Sequence, residues 1–264
     1  MAINRKETKV EQPSPVEGFE RASKAKYRRL IISVEGQEKQ GKTRFGLTAP
    51  GPIALFNLDI GLEGVIDQFV DTKEILVADF NYRDATKASE WEEMWERMKK
   101  AYYNALSSPK IRSLVVDTAS ELWELARLAR FGKLDKVQPY HYGPVNAEFR
   151  DLIRKSYESN KNVILLHKMK KEYMDDKYTG NYERSGFGDT PYLVQANLAT
   201  WRITAMDKLG GGKGREDGYT GFGITIKDCR QTSELASTEL LEPMNTFPFF
   251  ATSVFPDMEV SEWE

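Results

Sequence analysis

Apolar positions follow one another along this chain in two rhythms. Short unbroken runs, Leu30-Ile31-Ile32 with Val34, Ile53 to Leu58, Glu74 to Ala78, Leu114 to Val116 and Asn162 to Leu166, suit buried strands. Between them the spacing turns helical. Trp91, Met94, Trp95, Met98 and Tyr102 recur on one face, with Ser89-Glu90-Trp91-Glu92 as a capping box. This aromatic stripe reads as core. Leu122, Leu125, Ala126 and Ala129 mark a helix over 121–131, and Val145, Phe149, Leu152 and Ile153 mark another after Pro144. Strands alternating with helices predict an α/β protein with a mostly parallel sheet flanked by helices. Farther on, 198–205 and 221–227 alternate like a hairpin joined by the glycine-rich tip Gly210 to Arg215, a β extension at the C-terminal side. Phe247 to Phe255 is apolar and must pack.

The first strand runs into Gly36-Gln37-Glu38-Lys39-Gln40-Gly41-Lys42-Thr43, which matches the phosphate-loop pattern G-x-x-x-x-G-K-[ST] at every fixed position. The glycines let consecutive amides turn inward around phosphate oxygens. Lys42 is a mobile charge for the β/γ-phosphates and Thr43 a hydroxyl for Mg²⁺. Residues Gly36, Gln37, Glu38, Lys39, Gln40, Gly41, Lys42, Thr43 and the following Arg44 therefore form a candidate ATP site.

Other polar residues stand just past strand ends, where open α/β sheets bind ligands. Asp59 and Glu63 follow the second strand and read either as loop caps or as acids that polarise an attacking water. Asp117 closes Leu114-Val115-Val116 and would hold Mg²⁺ opposite Thr43. His167 ends the strand from Asn162, whose neighbours should carry the phosphate loop and Asp117; it reads as a structural histidine or as a γ-phosphate sensor. From Lys168 the chain turns basic and aromatic, and 175–189 is a glycine-punctuated loop with Tyr178, Tyr182 and Phe187 among Lys177 and Arg184. Such a mixture suits a solvated loop or, equally, single-stranded nucleic acid, whose bases stack and whose phosphates pair. Lys168, Lys170, Lys171, Lys177 and Arg184 are the candidate DNA contacts.

Composition narrows the choice. The 264 residues carry a net charge of −2, so any DNA contact comes from local patches rather than a general basic surface. A single cysteine, Cys229, leaves no internal disulfide framework and fits a reducing cytoplasm. No apolar run approaches membrane-spanning length, and the amino-terminal stretch has no signal-peptide character. We expect a mobile arm over 1–23, a core over 24–256 and an acidic tail over 257–264. Arg21, Lys24, Lys26, Arg28 and Arg29 form a basic run, a solvated face or a phosphate-tracking patch.

The glutamate at Glu38 makes the loop resemble the G-x-E-x-x-G-K-T form of the bacterial recombinase RecA and its relatives. The order of strand-end acids and a polar sensor followed by a loop is also similar. The chain looks most like short phage-encoded RecA-core single-strand-annealing proteins of the Sak type. That resemblance implies a RecA-like P-loop fold, ATP and Mg²⁺, with Lys42, Asp59 or Glu63 and His167 in catalysis and Thr43 and Asp117 at the metal. It further implies a ring or filament of identical subunits with nucleotide at their interfaces, loop 168–190 on single-stranded DNA, and a single-strand DNA-binding protein as a partner. His167 stands where RecA proteins have a glutamine. The alternative is an ATP-dependent switch or assembly factor that acts on a protein partner without DNA.

Overall fold

A computed structural model describes residues 16–19, 22, 27–59, 61–134, 137–203 and 220–264. The amino-terminal arm, Lys24 and Lys26 of the basic run, and the Gly210 to Arg215 tip fall wholly or largely outside the described residues.

Strands β1 (Ile31–Glu35), β2 (Ile53–Asn57), β3 (Ile75–Asp79), β4 (Ser113–Asp117) and β5 (Asn162–His167) form one sheet with β8 (Ala196–Ile203), β9 (Gly221–Cys229) and β10 (Glu239–Leu241). Its order is β10-β9-β8-β1-β5-β4-β2-β3, parallel from β3 to β8 and antiparallel from β8 to β10. Helices α2 (Ala88–Ser107), α3 (Ala119–Phe131) and α4 (Gly143–Ser156) cover one face; α1 (Lys42–Leu47) and α6 (Phe247–Val254) cover the other, and the four-residue α5 (Thr190–Leu193) leads into β8.

Two-sided burial explains the unbroken apolar runs. Along β4, Leu114 and Val116 join Trp95, Met98 and Phe149, while Val115 joins Phe45 and Phe250 on the opposite face. Along β5, Val163 and Leu165 face one core and Ile164 and Leu166 the other. Every apolar residue of these central strands thus has an apolar destination. At the edge this fails: β3 leaves Leu76 and Val77 exposed.

The expected hairpin forms, with β8 and β9 antiparallel, and β8 also pairs in parallel with β1, so the hairpin completes the sheet on the phosphate-loop side. Two expectations shift. The capping box of α2 is Lys87 with Glu90, not Ser89 with Glu92, because the Glu90 carboxylate reaches back to the amides of Thr86 and Lys87 at 2.7 and 3.0 Å. The acidic tail is docked. Trp263 is 2% exposed, stacked on Phe255 at 5.7 Å, and Arg112 donates to the carbonyls of Glu262 and Glu264. Burial of one indole outweighs the charges around it. Among the described residues no helix is long and apolar enough to cross a membrane.

Candidate nucleotide site

At the carboxyl end of β1 the chain turns through 36–41 into α1. Gly36 lies so close to β8 that a Cβ there would sit 2.2 Å from Thr200 Oγ1, and Gly41 has φ 85°, left-handed backbone that favours glycine. Both fixed glycines therefore answer a steric demand. Gln40 accepts from the Gln37 amide at 2.8 Å and closes the loop on itself. The Lys42 ammonium folds back over it and donates to the carbonyls of Gly36 at 2.8 Å and Gln37 at 2.6 Å. Desolvation lowers the Lys42 pKa, while Asp117 and Asp59 act in the opposite direction.

One strand, β5, separates β1 from β4, so the register brings the three strand ends together: Glu35 pairs with His167, and Leu166 with Asp117. Thr43 Oγ1 donates to Asp117 Oδ2 at 2.7 Å. Burial raises the Asp117 pKa, and the Thr43 hydrogen bond opposes it. A hydroxyl and a carboxylate at hydrogen-bond distance, beside a lysine on a glycine-bounded loop, are the donor set that holds Mg²⁺ with a triphosphate. These residues fit that group.

A second cluster adjoins the first. Lys168 Nζ lies 2.9 Å from Asp59 Oδ2 and 2.5 Å from Glu121 Oε1. Arg83 pairs with Glu121 at 2.9 Å and lies 3.9 Å from Asp59, and the Tyr82 hydroxyl donates to Glu121 Oε2. Burial pushes the Glu121 carboxyl up, but hydrogen bonds from Lys168 and Tyr82 and the nearby cations outweigh it and hold the group below its ordinary value. Lys168 is likewise desolvated, yet its two carboxylates hold it protonated above the ordinary lysine value. Of the two acids proposed for water activation, Asp59 belongs to this cluster, whereas Glu63 is exposed in the following turn.

His167 is fully buried. Its Nδ1–H donates to the Ser185 carbonyl at 3.2 Å and its Nε2 is buried without a hydrogen-bond partner. Burial, with the Arg184 charge, pushes its pKa down to about 3, so the ring is neutral at physiological pH. The Ser185 carbonyl also accepts from Ser120 Oγ at 2.7 Å, and Ser120 Oγ accepts from the Lys168 amide at 2.9 Å.

From this anchorage rises a hairpin where the sequence predicts a loop. Strands β6 (Met169–Met174) and β7 (Lys177–Arg184) form a separate two-stranded ribbon. Its tip, Asp175-Asp176, has φ 50° and 60°, the twin left-handed residues of a tight hairpin turn. Tyr173, Tyr178 and Tyr182 line one face with ring centroids 6.0 and 6.2 Å apart, and Lys171 sits over Tyr178 at 5.4 Å. The five cations grouped as DNA contacts separate here. Lys170 pairs with Glu183 at 3.1 Å, and Lys177 is exposed at the start of β7. Lys168 is drawn into the acid cluster, and Arg184 turns inward to Ser33 Oγ at 3.2 Å with its pKa lowered by desolvation.

Glu121, Arg83 and Tyr82 carry no sequence pattern that marks them as site residues. Glu121 follows Asp117 by four residues, yet its amide also donates to Thr118 Oγ1 at the start of α3, and an acid there reads as an ordinary helix-start residue. Nothing in the local sequence marks Arg83.

A search of curated proteins finds none that matches. The family model for an AAA domain matches residues 28–187, more than half of the chain, and spans the phosphate loop, Asp59, Asp117, His167 and the ribbon. The chain belongs to this AAA-domain family of P-loop proteins, a domain type that implies nucleotide binding.

Proposed function

We propose that this protein is a Mg²⁺-dependent ATPase with a RecA-type core, of the phage-encoded single-strand-annealing kind, and that it holds single-stranded DNA on the tyrosine face of its ribbon. The observation that carries the reading is Lys168. It leaves the ribbon's root and ends between Asp59 and Glu121, so one side chain joins the phosphate-loop end of the sheet to the ribbon.

In this reading Lys42 and the loop amides bind the phosphates and Thr43 and Asp117 hold Mg²⁺, which neutralises phosphate charge when bound. Asp59 orients and deprotonates the attacking water. The Lys168 ammonium, 2.9 Å away, fixes where that carboxylate points. Neutral His167 cannot supply charge and instead fixes the Ser185 carbonyl at the base of β7. Positioning and charge neutralisation carry the chemistry. Identical subunits assemble in a ring or filament, and a cation from a neighbour completes the ATP site.

Tyr173, Tyr178 and Tyr182 offer stacking surfaces to any base, and Lys171 and Lys177 supply charge for phosphates. The test is fluorescence anisotropy of a labelled single strand with Mg-ATP across a salt series. Steeply salt-dependent binding that Lys171→Ala weakens supports the reading; no detectable binding overturns its DNA half. Loss of ATP binding in Lys42→Ala tests the other half.

Two observations favour a second reading, a nucleotide-driven switch acting on a protein. Two of the five cations expected on DNA point inward, and the ribbon exposes Tyr173 and Met174 at 60% and 67%. Under that reading the ribbon docks a partner chain and ignores DNA.

A further inference from the structure

Away from the phosphate loop, a cavity of about 380 Å³ opens between the turn at 82–84, the first turn of α2 and the end of α3. Its wall is chemically divided. Trp91, Leu128 and Leu134 give it an apolar side, and Arg83, Arg127 and Lys133 give it a cationic one.

The three cations are not equally neutralised. Arg127 is held by Glu124, with Nε 2.9 Å from Oε2 and Nη2 2.5 Å from Oε1. Arg83 is shared with Glu121 at 2.9 Å. Lys133 lies over the Trp91 ring at 5.4 Å and, among the described residues, pairs with no carboxylate. A ring face attracts a cation without cancelling its charge, so the cavity keeps a positive mouth above an apolar floor. Among the described residues Glu124 is the lining acid, and it is already engaged by Arg127. The volume is that of a small-molecule site, where apolar walls and a few placed polar groups combine.

We propose that this cavity binds a small flat anion: a ring bearing a phosphate or carboxylate, with the ring packed on the exposed Leu134 above the buried Trp91 and Leu128 and the charge at Lys133. The site is separate from the phosphate loop and does not depend on the reading of ATP or DNA given above. It is also not isolated. Arg83 lines the cavity and holds Glu121, so an anion that draws on this guanidinium competes with the acid that anchors Lys168.

Phenyl phosphate is the minimal probe, with inorganic phosphate and phenol as its two halves. The chain has five tryptophans, and the Trp91 indole N–H donates to the Tyr82 carbonyl at 2.9 Å beside the cavity, so its nitrogen resonance reports directly on occupancy. Titrating the full chain with phenyl phosphate should shift the Trp91 signal saturably while neither half does so at the same concentration. The response should survive in Lys42→Ala, and Lys133→Ala or Lys133→Gln should weaken it by about tenfold, the size of one lost charge-assisted contact. The other four indole signals, unmoved in these variants, certify the fold. A Trp91 signal that does not saturate, a response that vanishes in Lys42→Ala, or one unchanged in both folded Lys133 variants overturns the proposal.

Discussion

The phosphate loop and the tyrosine ribbon leave neighbouring strands at the same level of the sheet, since Glu35 of β1 pairs with His167 of β5. Their support is very different. The loop is walled by β8 at Thr200 and by Asp117 beyond α1, and its lysine is tied to its own carbonyls. The ribbon is exposed on both faces and tied down at its root, where Ser185 meets Lys168, Ser120 and His167. The loop is held by the sheet on several sides, whereas the ribbon stands clear of it. The root joins them.

The strongest way to sharpen this contrast is to damage each side and compare stability. Leu166→Ala, in the fully buried run of β5, should cost about 2–5 kcal/mol in urea unfolding, whereas Tyr178→Ala should leave the urea midpoint unchanged. A large loss in Tyr178→Ala would mean that the ribbon is part of the core.

Next in size is a pH effect at the junction. The His167 pKa falls from an ordinary value of about 6.5 in the unfolded chain to about 3 in the fold. Between those two values the unfolded state binds the extra proton, so stability rises with pH and is lost on acidification, by about 1.4 kcal/mol per pH unit from this group. Unfolding curves from pH 7 to pH 4 should show that slope, and His167→Gln should flatten it. An equal slope in the variant would place the titrating group elsewhere.

Lys42→Ala tests the loop itself. Removing a charge-assisted contact to phosphate should weaken Mg-ATP binding by about 100-fold in calorimetry while stability stays near that of the parent. The smallest effect is expected at the ribbon: Tyr178→Ala should weaken single-strand binding by about tenfold with ATP binding retained. If it changes neither DNA binding nor annealing, the protein-partner reading takes over.

How much of this was legible depended on how far apart the cooperating residues lie in sequence. The phosphate loop was readable because Gly36, Gly41, Lys42 and Thr43 stand at fixed local spacing, and a strand's apolar run announces the position of the residue that ends it. That rule located Asp117 and His167, and the pairing of β5 with both β1 and β4 follows the expected order. The acid cluster was not readable. Lys168 sits among basic residues and Glu121 at a helix start, and only the crossing of α3 with the root of the ribbon brings them together. Asp175-Asp176 was missed as a hairpin turn because β6 and β7 are polar on both faces and lack the alternation that betrays a half-buried strand. Trp263 was hidden by its acidic neighbours, since charge density says nothing about where one aromatic ring is inserted.

The turn at Asp175-Asp176 has a consequence for geometry of approach. Two carboxylates crown the free end of the ribbon, and like charges there repel any polyanion that tries to wrap around the point. On the proposed reading a nucleic-acid strand would be kept to the flat of the hairpin, and the length it could lay down would be measured by the row of phenols beneath the crown.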